Sequence, residues 1–433
     1  MQSLIQSVFQ SNVGQNKNKF TVAQLGARRH YSTPRILYET GHLEHFYTDI
    51  CAIKGFPKYL RLIPPKFQSN SLARLTGRIP YGIDPNLITA FSGFGFEYIS
   101  RLRKASSASE TIKTFLWAGK TFGRLVLRQG IRGNGVYVFN TAGLELLQAA
   151  KQAGLKTVME QTIAPYQIEK QFLQEEQALH PSWEEPLEKN EYLAEYIERE
   201  EQEWSLADVI LCGSDFVRDS IQQCQGPKER CVIVPYGIDA SFGIDTSFQL
   251  SAKTPHQGLL RVLTIGSVGL RKGIPYVLEA AKQLKGKAIF RVVGPVQVLP
   301  DAVAALQENL ELVGQVARSQ IMPHYNWADV FLLPSICEGS AAVTYEALAC
   351  GLPVIATPNT GSIVEDGING FIVPIRDVDA IVTKLESFCT QPELLVTMSK
   401  MALEKSQSLG SVWLGSTTSA NGNEREQVLP ILE

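Results

Sequence analysis

Two glutamates with seven residues between them, Glu338 and Glu346, lie in PSICEGSAAVTYEALACGLP, the segment from Pro334 to Pro353. The apolar run just before it, Asp329–Leu333 (DVFLL), reads as a strand, so Glu338 occupies a loop leaving a strand's carboxyl end. A helix is expected from near Ser340, which reads as its N-cap, to Cys350, where Gly351 and Pro353 stop it. The first turn of such a helix offers the backbone N–H groups of Ala341, Ala342 and Val343 to an anion, and the helix dipole adds to their pull. The small side chains of Gly339, Ser340, Ala341 and Ala342 allow a phosphate to approach. Glu346, further along the helix, would repel that phosphate. It is better suited to accept hydrogen bonds from a ribose diol, with Glu338 bonding sugar hydroxyls from the loop. This is the chemistry of a nucleotide-sugar site, although an ordinary capped helix would share much of the pattern.

A second strand-to-helix loop, Gly266–Gly273 (GSVGLRKG), carries Arg271 and Lys272, whose charges could meet a diphosphate. A basic pair in a loop is often only surface charge. Its position after a central strand of the same half makes the diphosphate reading the stronger one.

The elements that must hold these loops alternate regularly. Strands are expected at Leu260–Ile265, Ala288–Val293 and Pro353–Ala356, with a helix at Pro275–Leu284. The first half repeats the pattern with strands at Thr21–Leu25, Gly135–Phe139, Lys156–Glu160, Val209–Cys212 and Cys231–Val234, and a helix at Leu144–Ala153. Short apolar strands separated by helices predict α/β domains with parallel sheets covered on both faces. The turn-rich VPYGID at Val234–Asp239 and the polar stretch Asp239–Gln257 mark a boundary, giving residues 1–235 and 236–400, with an atypical tail over 401–433. Ligands of such sheets bind in the cleft at the carboxyl ends of the strands.

A net charge of -2 over 433 residues gives no field suited to nucleic acid. No stretch approaches the roughly 20 apolar residues of a membrane span, and the first twenty residues read as a loose polar arm rather than a secretory signal. Seven scattered cysteines without metal-ligand spacing suit reduced thiols in the cytoplasm. Local charge is more telling. Lys54–Arg132 holds fourteen Lys/Arg against three acids, interleaved with Phe56, Tyr59, Phe67 and Trp117. That suits either ordinary amphipathic helices or contact with the inner face of an anionic membrane. Glu160–Glu203 holds thirteen Glu and reads as the solvated face of a long helix, with pairs such as Glu195–Arg199. His42 and His45, three apart with no carboxylate to complete a site, read as surface or packing residues.

The pattern PSxxEG…EAxAxGLPVIA resembles the signature of retaining glycosyltransferase family 4. Matching segments follow in order: ADVILCGSDFV at Ala207–Val217, VPYGID, the KG of Lys272-Gly273, Gly294-Pro295, Gly314, and EDGINGF at Glu365–Phe371. The resemblance covers Trp204 to Leu385 well and the first half weakly. It implies the GT-B fold, with two Rossmann-like domains facing across a cleft, and transfer of a hexose-type sugar from a nucleoside diphosphate to an unidentified saccharide, lipid or small-molecule acceptor. It also implies no required metal or other cofactor, because cations and amides stabilise the departing diphosphate in a front-face displacement.

Carried over by position, Glu338 would contact the sugar and Glu346 the ribose. Ala341, Ala342 and Val343 would hold phosphate and sugar, and Lys272 with Arg271 the diphosphate. Val316 would meet the nucleobase, and Gly26 would approach the donor phosphates. Ser267 stands where the family often has arginine after the strand-ending Gly266, so Arg271 is the substitute. The family's histidine after the Lys156–Glu160 strand is absent, since the chain reads Glu160-Gln161-Thr162, and no amphipathic helix is expected after Ser406. A nucleotide-sugar epimerase of the same fold and a non-catalytic nucleotide-sugar-binding protein are the competing readings.

Overall fold

Thirteen strands among the described residues pair in parallel throughout and fall into two sheets. The computed structural model describes residues 18–64, 67–187, 189–237, 252–254 and 258–413. The polar arm, most of the 239–257 linker and the tail beyond Trp413 therefore lie outside the described residues.

The first sheet contains β1 (Phe20–Gln24), β2 (Leu43–Thr48), β3 (Ile88–Ala90), β4 (Gly135–Phe139), β5 (Lys156–Gln161), β6 (Val209–Cys212) and β7 (Cys231–Ile233), in the order β3-β2-β1-β4-β5-β6-β7. The second contains β8 (Leu260–Ile265), β9 (Ala288–Val293), β10 (Glu311–Gly314), β11 (Val330–Leu333), β12 (Val354–Ala356) and β13 (Gly370–Ile372), in the order β10-β9-β8-β11-β12-β13. Every residue of β1, β4 and β11 is buried, which is why β4 (GVYVF) and β11 (VFLL) read as continuous apolar runs rather than alternating ones. Apolar helices cover both faces. One side of the second sheet packs Val277, Leu278 and Ala281, and the other packs Tyr325, Leu348 and Ala402.

Both sheets are wound alike. The chain builds outward from β1 to β3 and then returns to place β4 against β1; it builds from β8 to β10 and returns to place β11 against β8. A crevice opens where the winding reverses, outside the carboxyl ends of the two strands concerned. Gly26 follows β1, the Gly266–Gly273 loop follows β8, and Glu338 follows β11, so both switch points carry expected site residues.

The acidic segment corrects the expectation of one long solvated helix. It forms two helices, Tyr166–Leu179 and Leu193–Leu206, and Glu176, Glu200 and Glu203 are buried. Arg199 does not pair with Glu195. It grips both carboxylate oxygens of Glu145, at 2.9 and 2.7 Å, while Glu195 meets Lys120. The first of these helices, with the chain after it, leans on the second domain. Tyr276 Oη donates to Glu176 Oε2 (2.8 Å), Arg376 Nε donates to Glu176 Oε1 (2.6 Å), and the Leu270 amide donates to Glu184 (2.6 Å).

The C-terminal end is also more regular than expected. A helix spans Pro392–Trp413, burying Leu395, Met398 and Ala402, and Ser399 Oγ donates to the Gly351 carbonyl at 2.6 Å. Its alternation of small polar and apolar residues hides the amphipathic face from a sequence reading. The described part packs on the second domain, beside the helix that carries Glu346.

Candidate functional site

Where β8 and β11 end, their two loops bring opposite charges together. Arg271 and Lys272 lie in a short 3-10 turn, Leu270–Lys272, and both reach Glu338 Oε1, Arg271 Nη1 at 2.7 Å and Lys272 through Nζ. Arg271 also donates to the Cys337 carbonyl (3.2 Å) and stands 3.8 Å from Glu169 of the first domain. Lys272 is only 8% exposed, and burial pulls its ammonium below the usual lysine range despite the adjoining carboxylate. Gly266 makes room for it: with φ at 153°, a Cβ there would meet Lys272 Cε at 3.1 Å.

The helix after Glu338 runs Ala342–Ala349, starting one residue later than expected, and its N-cap is Ala341 with no side-chain cap. Ser340 is not the cap, because its hydroxyl pairs with Tyr345 Oη (2.6 Å) and the Gly361 carbonyl (3.1 Å). The Ala341 amide is also spent, donating to the Thr360 carbonyl at 3.2 Å. The predicted set of three open amides therefore shrinks to Ala342 and Val343, which have no partner among the described residues.

Glu346 is buried, and its two oxygens are held separately. Tyr325 Oη donates to one at 2.8 Å and Arg318 Nη2 to the other at 3.1 Å. Burial, reinforced by this carboxylate, raises the Tyr325 phenol well above its ordinary range, so it stays a donor. Val316 is half-buried against the same apolar cluster, and its backbone groups have no partner among the described residues. Arg318 and Tyr325 were not singled out by sequence. Tyr325 sits on a six-residue helix, Met322–Trp327, whose only local signal was Pro323.

The first domain comes close to this loop. An added Cβ at Gly339 would lie 2.0 Å from the Thr162 carbonyl oxygen, and Ser214 Oγ donates to the Gly339 carbonyl at 2.6 Å. Gly339 is thus the point where the Glu338 loop slides under β5's exit. Glu160, at the place of the absent histidine, is buried and accepts two bonds from Arg29 Nη2 (2.8 Å each), one from Tyr137 Oη (2.6 Å) and one from Tyr236 Oη (3.2 Å). Arg29 also lies over the Tyr236 ring, 4.1 Å from its centre. It can do so because Arg29, His30 and Tyr31 all take left-handed backbone angles, with φ of 45°, 48° and 63°. Three successive residues of this kind are strained, and strain of this sort gathers where a site over-determines the backbone. No sequence signal marks the run apart from its following Gly26.

Gly26 itself has φ 74°, donates its amide to Asp49 Oδ1 (3.0 Å), and has nothing within 4 Å of where a Cβ would be. It borders a cavity of about 290 Å³ in the first domain rather than touching the Glu338 loop. His42 and His45 are buried packing residues, paired with the Asn18 carbonyl and Thr89 Oγ1.

Comparison with known proteins bears on these features. Residues 260–391 match the family model described as glycosyl transferases group 1. The colanic acid biosynthesis glycosyltransferase WcaL of Salmonella typhimurium is 28% identical over 216 residues, 46% of this chain and 52% of that protein. The D-inositol 3-phosphate glycosyltransferase of Kribbella flavida is 31% identical over 156 residues, 33% of this chain and 37% of that protein. The chain therefore spans about half or less of the length of these curated relatives. Among solved structures, sucrose-phosphate synthase from Thermosynechococcus elongatus superposes with a TM-score of 0.56 at 17% identity, covering 90% of this chain and 95% of that one. Anabaena HepE in complex with UDP superposes with a TM-score of 0.55 at 14% identity and the same coverage. The fold is GT-B.

Proposed function

We propose that this chain, whose residues 260–391 match the family model described as glycosyl transferases group 1, moves a sugar with retention from a nucleoside diphosphate donor to an acceptor held by its first domain. The observation that carries the reading is the meeting of Arg271 and Lys272 with Glu338 at the β8/β11 switch point, beside the open amides of Ala342 and Val343. Two cations and two amides suit a diphosphate. Glu338 pairs with both cations, and a diphosphate meeting them would free that carboxylate to accept from sugar hydroxyls.

Glu346, oriented by Tyr325 and Arg318, is suited to the ribose diol, and the open backbone at Val316 to the edge of a base. In the reaction the bond between the anomeric carbon and the diphosphate oxygen breaks while the acceptor oxygen bonds to that carbon from the same face. The acceptor's proton passes to a diphosphate oxygen. Arg271 and Lys272 supply charge where the leaving group gains it.

The test is a thermal-shift panel of UDP, GDP, ADP and their common sugar conjugates on wild type and Glu346→Ala. A ligand at about 100 times its Kd adds about 2.7 kcal/mol of stability. One nucleotide class that stabilises wild type and not Glu346→Ala supports the site. No shift with any nucleotide overturns it.

Contact with an anionic membrane is part of the same reading. Among the described residues no helix is long and apolar enough to cross a membrane. However, Phe56, Tyr59, Leu62 and Phe67 are all exposed, Leu62 at 79%, and no acid occurs between Lys54 and Gly82. Apolar side chains ringed by cations suit an interface between water and anionic lipid. Salt-sensitive co-sedimentation with anionic vesicles, weakened by Leu62→Asp, is expected; binding that ignores salt and this change counts against it.

A further inference from the structure

The cavity beside Gly26 has a chemistry of its own. Its charged lining is Arg28, Arg78 and Asp49, so it carries one net positive charge, and apart from Thr141 the rest of its wall is apolar or aromatic, including Tyr98, Phe115 and Tyr196. Asp49 is 1% exposed and already engaged on both oxygens: Oδ1 accepts from the Gly26 amide (3.0 Å) and Thr48 Oγ1 (3.2 Å), and Oδ2 accepts from Arg78 Nη1 (3.0 Å). Asp49 therefore acts as a positioning residue that holds the Arg78 guanidinium at the cavity wall. Arg78 gives one N–H to that pair and has no other side-chain partner among the described residues. Tyr98 Oη likewise has no partner among the described residues, and both arginines lie near enough to oppose the upward push of burial on its phenol, which still reaches about 12.

The cavity is also tied to the Glu338 loop. Arg28 Nη1 donates to Thr162 Oγ1 at 2.7 Å, and the Thr162 carbonyl is the atom a Cβ on Gly339 would strike. A molecule in the cavity with a hydroxyl at the Arg28 end thus approaches Thr162, the residue against which Gly339 packs. A neutral polyol would leave the surplus charge and the spare guanidinium donors unmatched. A planar fork of donors with one carboxylate already used suits a tetrahedral oxyanion.

We propose that this cavity is the acceptor site and that it takes an acceptor bearing a phosphate group, bound between Arg28 and Arg78 with its apolar or ring portion against Tyr98 and Phe115. This rests on the sugar-transfer reading for the word acceptor, but not for the phosphate. The phosphate has two sources. It could belong to a soluble sugar phosphate or to a lipid headgroup, because the wall helix Ser92–Lys104 also carries Phe96, which packs on Phe56 of the exposed aromatic patch at 6.5 Å between ring centres.

The experiment measures binding to the full chain of four probes: glucose, glucose 6-phosphate, dihexanoyl phosphatidic acid and dihexanoylglycerol. Each is tested on wild type, Arg28→Gln and Arg78→Gln. Phosphate-bearing probes are expected to bind at least tenfold tighter than their uncharged counterparts, and Arg28→Gln to remove roughly tenfold of that. Arg28 is exposed and bonds one hydroxyl, so its replacement leaves the fold intact. Arg78→Gln leaves buried Asp49 unpaired, so it is read only if its melting temperature is retained. Tighter binding of glucose 6-phosphate than of the phosphatidic acid assigns a soluble acceptor, and the reverse assigns a lipid. Equal binding of charged and uncharged probes, or a phosphate preference untouched by Arg28→Gln, overturns the proposal. A phosphate preference lost in Arg28→Gln, in a protein that no nucleotide stabilises, keeps the phosphate site and removes the sugar-transfer reading instead.

Discussion

The two switch points of this molecule have the same topology and opposite construction. At β8/β11, most of the groups expected of a donor site come from two short loops and the helix that follows one of them, and Arg271, Lys272 and Glu338 meet directly. At β1/β4, the corresponding face is assembled from distant pieces: Gly26 and Arg28 with the left-handed residues Arg29–Tyr31, Asp49 after β2, Arg78, the helix at Ser92, Glu160 near the end of β5 and Tyr236. One switch point is built from two short segments, each recognisable from its own contiguous residues. The other exists only once the chain has folded.

The largest expected effect tests the local design. Lys272→Ala should lower kcat by roughly 10²–10³, the range for removing one preorganised group that stabilises developing charge. Arg271 remains on Glu338, so the fold should lose little. Steady-state rates beside a melting curve check this. A rate within threefold of wild type would mean that the loop's charges are structural.

The second joins the two faces. Gly339→Ala puts a methyl 2.0 Å from the Thr162 carbonyl, and backbone on both sides must move. The domains are then held slightly apart, and a displacement of about 1 Å at a reacting centre can cost 10²-fold. Nucleotide affinity should weaken only a few-fold, because Glu346 and the amides of Ala342 and Val343 stay together. If kcat and affinity fall equally, the contact serves the loop rather than the closure.

How much was legible follows the same division. The nine strands expected were found to within a residue or two, because most are short apolar runs closed by a turn; β2, β3, β10 and β13 were not expected, since β2 (LEHFYT) mixes polar residues into its run and the other three have only three or four residues. Glu338, Glu346, Arg271 and Lys272 were legible because a strand-loop-helix unit fixes its own geometry. Legibility failed one shell outward. Ser340 and Ala341 were given open groups that Tyr345, Gly361 and Thr360 occupy, and nothing in the sequence places those partners nearby. It failed most in the glutamate-rich segment. A count of charges suggested a solvated helix, whereas Glu176, Glu200 and Glu203 are buried against partners up to 200 residues away, as Arg376 is from Glu176. Local composition reports that charges exist and not whether a distant element will neutralise them.

That buried acid set yields the smallest and most discriminating prediction, since it concerns the first domain alone. Glu200 is 2% exposed, and it accepts from Gln161 Nε2 (2.6 Å) and the Tyr166 amide (3.1 Å). Burial is the main cause that pushes its carboxyl up from 4.5 to about 7, against these hydrogen bonds. The sign follows. Between those two values the folded protein holds a proton that the unfolded chain has released, so the carboxyl's contribution is present in full below pH 4.5, falls as pH rises, and is gone by about pH 7. Glu200→Gln does not titrate. Its amide also turns a donor toward one of the two donors Glu200 satisfies, which adds an offset independent of pH. The stability difference between wild type and Glu200→Gln, read from melting curves, should therefore move in wild type's disfavour as pH rises from 4.5 to 7, by at most about 1.4 kcal/mol per pH unit, and stay constant above. Nucleotide binding at the second switch point should show no such window. A flat difference across the range would mean that Glu200 is ionised in the fold, its hydrogen bonds outweighing its burial, and that the first domain is held together by charge rather than by a neutral acid.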